Sequence, residues 1–88
     1  MKIPNGKVIV DFYADWCGPC KAIAKSLEEI ESEMDVSVVR LNVDNHVAEA
    51  KEYDVMSIPT LILLQDGEEI ARTIGAGSKA DLIDRLGL

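Results

Sequence analysis

A chain of 88 residues with a formal net charge of −7 is expected to fold as one domain, residues 1–88, and its scattered Lys and Arg offer no basic patch for a nucleic-acid backbone. Its composition, 48% hydrophobic and 28% charged, is ordinary for a soluble globular protein. No segment reaches the length of a membrane span and MKIPNGK at the N-terminus has no apolar stretch of signal-peptide length, so a cytoplasmic protein is expected; there a close cysteine pair points to catalysis or metal binding before a structural clamp.

The first predicted element is a strand over KVIVDFYA, Lys7 to Ala14. Its apolar run does not alternate, as in a strand buried on both faces, and Asp11 interrupts it. From Cys20 the pattern turns helical, with Ile23, Leu27, Ile30 and Met34 on one stripe and the acidic run Glu28 to Glu33 read as a solvated face. Pro19 fits a first turn, where its missing N–H costs nothing, so the helix should begin at or just after Cys17. VSVVRLNVD, Val36 to Asp44, is a second strand. Asn45 is the expected cap of a short helix over Val47 to Tyr53. A third strand spans Pro59 to Leu64, and Asp66-Gly67 signals a hairpin into an antiparallel return, Glu69 to Ile74. Gly75 and Gly77 break that strand. Ser78 with Asp81 forms a capping box for a last helix carrying Leu82, Ile83 and Leu86, which Gly87 ends. The order β-α-β-α-β-β-α makes an α/β fold: a four-stranded mixed sheet flanked by helices, opening with a parallel β-α-β unit.

Both cysteines stand in DWCGPCK, Asp15 to Lys21. Residues three apart on a helix are neighbours, at about the separation a disulfide needs, so Cys17 and Cys20 can open and close a bond with little backbone movement. Cys17 falls where strand gives way to helix, and unpaired N–H groups with the positive end of the helix dipole favour its thiolate, the reactive form. Lys21 adds a small attraction. Cys20, one turn in, should be less exposed. The roles that follow are attack on a target disulfide by Cys17 and resolution of the mixed disulfide by Cys20. Gly18 and Pro19 supply no cation between them, which leaves the thiolate moderately stabilised and the couple reducing. The competing reading is a zinc half-site. Structural zinc takes four ligands, and only one histidine, His46, is present, so no metal is expected. Asp11 needs a partner if buried, and Arg40 on the adjacent strand is the candidate. Burial raises and arginine lowers a carboxyl pKa, and the sequence leaves that contest open.

VIVDFYADWCGPCK and SIPTLILLQDGE resemble the thioredoxin family, over about Val8 to Leu86. The resemblance implies a thioredoxin-like fold and a thiol–disulfide oxidoreductase that reduces protein disulfides. It needs no bound cofactor and is itself reduced by a thioredoxin reductase or an analogous flavoprotein. It makes Cys17 the nucleophile, Cys20 the resolving partner and Asp11 a buried proton acceptor beneath Cys20. It makes Pro59 a cis-proline facing the disulfide, and assigns Trp16, Ile58 and Gly75 to the rim that receives the substrate polypeptide. Arg40 stands where the family often has lysine. The alternatives are a specialised redox partner of one enzyme or pathway, and a thioredoxin-fold binding module whose thiols take no redox part. The chain also offers only MKIPNG where the family has a further strand and helix. The strand Val36 to Asp44 is then an edge, which Arg40 and Asn42 would blunt, Lys2-Ile3 would patch or a homodimer would use; a monomer is expected.

Overall fold

Four strands and three helices make up the fold of the computed structural model, which describes residues 3–88. They run in the order β1 (Lys7–Tyr13), α1 (Gly18–Glu33), β2 (Ser37–Asn42), α2 (Val47–Glu52), β3 (Thr60–Gln65), β4 (Glu68–Ile74) and α3 (Lys79–Leu86). In the sheet the strands lie β2-β1-β3-β4. β1 runs parallel to β2, with Asp11 opposite Arg40, and antiparallel to β3; β3 and β4 form a hairpin. This is the mixed sheet expected from the order of elements.

The two central strands explain their own lack of alternation. In β1 every residue from Val8 to Phe12 is buried, and in β3 every residue from Thr60 to Leu64, because both faces of the sheet are covered. On one face Ile9, Leu61 and Leu63 pack against Ile23, Leu27 and Ile30 of α1 and Leu82 and Leu86 of α3. On the other, Val8, Val10, Phe12, Ile62 and Leu64 pack with Leu41, and Ala50, Tyr53, Val55 and Ile3 close over them. Burying one such Leu, Ile or Phe side chain stabilises by about 1.5–3 kcal/mol, so these two layers hold the sheet that carries the site.

Local signals set the boundaries. Asp66 and Gly67, both at positive φ, turn β3 into β4 in two residues, the backbone that a two-residue hairpin loop demands. The Asp66 side chain also accepts from the Gly6 N–H at 2.8 Å. Ser78 and Asp81 form the capping box of α3, and Gly87 ends it. α2 departs from expectation. Its N-cap is His46, without a side-chain cap bond, and not Asn45. The N–H groups of Asn45 and His46 both donate to the Asn42 carbonyl; that turn, closing β2, uses Asn45 before it can cap.

β2 is one of the two sheet edges, with β4 the other, and its guard differs from the one expected. Arg40 and Asn42 are engaged elsewhere: Arg40 on Asp11, and the Asn42 side chain on the Asp44 N–H. The outward Val38 N–H instead donates to Glu31 of α1 at 2.7 Å. Glu33 reaches Lys79 of α3 at 2.6 Å. The acidic run is therefore not merely a solvated face; two of its members tie α1 to β2 and to α3. Of the Lys2-Ile3 patch, Lys2 lies outside the described residues, and Ile3 packs on the sheet face.

Candidate active site

The strand-to-helix junction after β1 builds the cysteine turn. Tyr13 ends the strand, and the Cys17 N–H donates back to the Ala14 carbonyl at 3.1 Å, folding Asp15 and Trp16 outward. Cys17 is the N-cap of α1, with extended backbone, and Pro19 lies in the first turn. Cys17 and Cys20 are joined by a disulfide, their Cα atoms 5.3 Å apart. The Cys20 N–H donates to Cys17 Sγ at 3.1 Å. A donor that favours a negative sulfur lowers a thiol pKa, and the same first-turn amides bring the positive end of the helix dipole to Cys17. Cys17 is 5% exposed and Cys20 1%, the order expected for an outer and an inner sulfur. Gly18 presents open space on its Cβ side; Lys21 donates its backbone N–H to the Cys17 carbonyl, and its side chain is exposed.

Asp11 shares the face of β1 that Ile9 packs toward α1, two residues on, and is fully buried. Its Oδ2 accepts from Arg40 Nε at 3.0 Å across the parallel register. Its Oδ1 has no partner. Burial outweighs the Arg40 hydrogen bond and charge, and holds the carboxyl pKa above its ordinary value of 3.8. The contest left open by the sequence thus goes to desolvation. Arg40 is held in turn by the Tyr13 ring, its guanidinium carbon 4.2 Å from the ring centroid, a cation–π contact. Arg40 and Tyr13 line, with Cys20, Lys21 and Ala24, a cleft of about 260 Å³. The cleft connects the inner cysteine to the carboxylate's partner and to solvent.

On the other side of the disulfide is an apolar groove of about 330 Å³, lined by Trp16, Val43, Ala50, Val55, Met56, Ser57 and Ile58. Trp16 is 70% exposed. Its indole Nε1 donates to Asp44 Oδ2 at 3.1 Å, which fixes the ring at the groove's lip. Ile58 packs against the cluster of Ala14, Cys17 and Cys20. The Ile58–Pro59 bond is cis. Gly75 donates its N–H to the Pro59 carbonyl at 2.9 Å; its φ of +92° suits glycine, and a Cβ there would face open space, so backbone freedom is the reason for glycine at this position. Trp16 and Ile58 thus share the groove beside Cys17, and Pro59 and Gly75 are bonded to each other next to Ile58. Asp44, Tyr13 and Met56 belong to the same surroundings and were not expected there. Only Asp44 carried a signal, as the carboxylate ending the strand beside β1. Among the described residues no group of three His, Cys, Asp or Glu side chains stands where it could hold a metal ion.

The chain matches the family model described as Thioredoxin over residues 1–87. A thioredoxin of Chlamydia caviae is 48% identical over 82 residues, covering 92% of this chain and 80% of that protein. A protein of Mycobacterium leprae named bifunctional thioredoxin reductase/thioredoxin is 49% identical over 81 residues, 90% of this chain and 18% of that one. Among solved structures, a mutant thioredoxin from Halobacterium salinarum superposes with a TM-score of 0.88 at 38% identity, covering 93% of this chain and 73% of that one.

Proposed function

Starting from the fact that the chain belongs to the thioredoxin family and is a thiol–disulfide oxidoreductase, we propose that it works as a reductant of protein disulfides, with Cys17 attacking and Cys20 resolving. The observation that carries this reading is the Cys17–Cys20 disulfide at the N-cap of α1, where the Cys20 N–H already points at Cys17 Sγ. In the reduced protein the Cys17 thiolate attacks one sulfur of a target disulfide. That bond breaks, a mixed disulfide forms and the first target thiolate leaves. Cys20 then gives up its proton and attacks Cys17 Sγ; the mixed disulfide breaks, the intramolecular one forms and the second target thiolate leaves. Two electrons pass from the Cys17–Cys20 dithiol to the target.

Asp11 is the group we assign to take the Cys20 proton. A carboxyl whose pKa is raised by burial is better matched to a thiol than an ordinary aspartate. Arg40 is a positioning residue, holding Oδ2 and leaving Oδ1 free. Gly18, Pro19 and Lys21 set the charge around Cys17, and the absence of an intervening cation supports the reducing direction. The substrate polypeptide lies along Trp16, Ile58, Pro59 and Gly75. Among the described residues Ile58 makes no backbone hydrogen bond, so its N–H and carbonyl are available to an extended peptide. The electron donor is a flavoprotein thioredoxin reductase; the fusion named for the Mycobacterium leprae relative supports that pairing. A reduced dithiol of this kind fits a cytoplasmic site, and no helix among the described residues is long and apolar enough to cross a membrane.

Cys20→Ser tests the assignment. It should accumulate a mixed disulfide between Cys17 and a protein target, seen as a reducible band on non-reducing gels, and Cys17→Ser should form none. Trapping through Cys17→Ser, or no trapping by either, would refute the roles.

A further inference from the structure

Met56 stands apart from the other apolar side chains of the surface. It is 91% exposed, against 70% for Trp16 and 50–55% for Val47, Ile70 and Ile74. A thioether so open has its sulfur in reach of dissolved oxidants. Met34 is partly buried against the core under α1 and α3, and Met1 lies outside the described residues. Met56 is also part of the apolar groove, beside Ser57 and Ile58 and across from Trp16. An unbranched, polarisable side chain at that place adapts to varied apolar groups.

We propose that Met56 is an oxidation site, converted to the sulfoxide by hydroperoxides, and that its oxidation weakens docking of protein substrates while leaving the Cys17–Cys20 exchange intact. This rests on the reading of the groove as the substrate's seat. In the step the Met56 sulfur attacks the outer oxygen of the hydroperoxide. The O–O bond breaks, an S–O bond forms, sulfur loses two electrons and the peroxide leaves as an alcohol, or as water from hydrogen peroxide. The product is polar and chiral where the groove was apolar and flexible. In the reduced protein the Cys17 thiolate competes for peroxide. In the disulfide form it does not, so the modification marks protein that has waited oxidised in the presence of peroxide.

The disulfide form treated with hydrogen peroxide, mapped by tandem mass spectrometry and freed of oxidant, should carry one oxygen on Met56 before Met34 is touched. With dithiothreitol as electron source, KM for insulin should then rise about tenfold, the scale of losing one good apolar contact, with kcat unchanged. Turnover of a small disulfide such as hydroxyethyl disulfide should not change. Met56→Leu, whatever its own starting KM, should show no further rise on peroxide treatment, and Met56→Gln should raise KM without peroxide. Oxidation of Met34 ahead of Met56, full oxidation of Met56 with an unchanged KM, or an equal loss on the small disulfide would each overturn the proposal. Untreated protein that reduces neither substrate would overturn the underlying reductant reading instead, and this inference with it.

Discussion

Replacing Asp11 with asparagine should stabilise the protein at alkaline pH while slowing its chemistry. The carboxyl is fully buried, one oxygen is bound by Arg40 and the other by nothing, and burial raises its pKa above 3.8. The folded state therefore keeps a proton at pH values where the unfolded chain has lost it. Its contribution to stability is fully present below about pH 4 and is lost as pH rises through the folded pKa. Asparagine never ionises and escapes that loss. Ionising a carboxyl whose buried oxygen has no partner adds a desolvation cost on the order of 1–3 kcal/mol, which asparagine does not incur. At a urea slope of about 1 kcal/mol/M this is a midpoint shift of about 1–3 M. Urea unfolding of the disulfide forms across pH 4 to 8 measures it. The variant-minus-wild-type difference should be near zero at pH 4 and open as pH rises. Glu69 beside Arg72 and Asp81 in its capping box have lowered pKa values and lose stability as pH falls, but equally in both proteins, so they cancel. A difference that is flat across pH, or that closes with rising pH, would refute the raised carboxyl. In the same variant, turnover should fall with its pH profile flattened.

Arg40→Met should raise the Asp11 carboxyl further, since the guanidinium is what lowers it. The fall in stability should extend to higher pH, and Asp11→Asn in the same chain should abolish the effect; an unchanged profile would make Arg40 incidental. Glu31→Ala should free the outward Val38 N–H of β2 and make association through that edge strand rise with concentration. Analytical ultracentrifugation checks this, and a variant that stays monomeric at millimolar concentration would show that Glu31 is not the guard. Ser78→Ala removes the acceptor of the Asp81 N–H and should cost about 1 kcal/mol, a fall in Tm of about 4–8 °C. A calorimetric scan with no shift would place the start of α3 under the control of packing alone.

What could be read from the sequence was what neighbouring residues decide among themselves. Val8 to Phe12 and Leu61 to Leu64 announce central strands because nothing in them but Asp11 prefers water. Pro19 and the stripe of Ile23, Leu27 and Ile30 place α1, which ends before the stripe's last member, Met34, and Asp66-Gly67 and Ser78 to Asp81 carry their turn and cap in their own side chains. Asn45 shows the limit: its cap propensity lost to a turn whose acceptor, Asn42, belongs to the preceding strand. Glu31 and Glu33 were read as solvated because Val38 and Lys79 become their partners only once α1 lies on the sheet. At the site, spacing and helix position were enough for the two cysteines, and a one-step strand register was enough to pair Asp11 with Arg40. The Trp16–Asp44 bond and the Tyr13–Arg40 stack were hidden. Each depends on the end of β2 lying beside the loop after β1, which no local pattern states.

The two sulfurs are chemically identical, so the unlike roles proposed for them must come from position. Cys17 is outside the first turn, receives an N–H from Cys20 and adjoins the groove of Trp16 and Ile58. A negative sulfur is favoured there, and a target chain can reach it. Cys20 is inside the turn, nearly without exposure, and lines the cleft shared with Arg40, whose guanidinium holds the Asp11 carboxyl. A thiol there is shielded from targets but near a route for its proton. Exchanging the tasks would ask the inner sulfur to meet a substrate it cannot reach and the outer one to shed a proton away from the raised carboxyl. On the proposed reading one strand-to-helix junction orders the reaction: the sulfur that faces outward attacks first, and the sulfur that lines the Arg40 cleft closes the cycle.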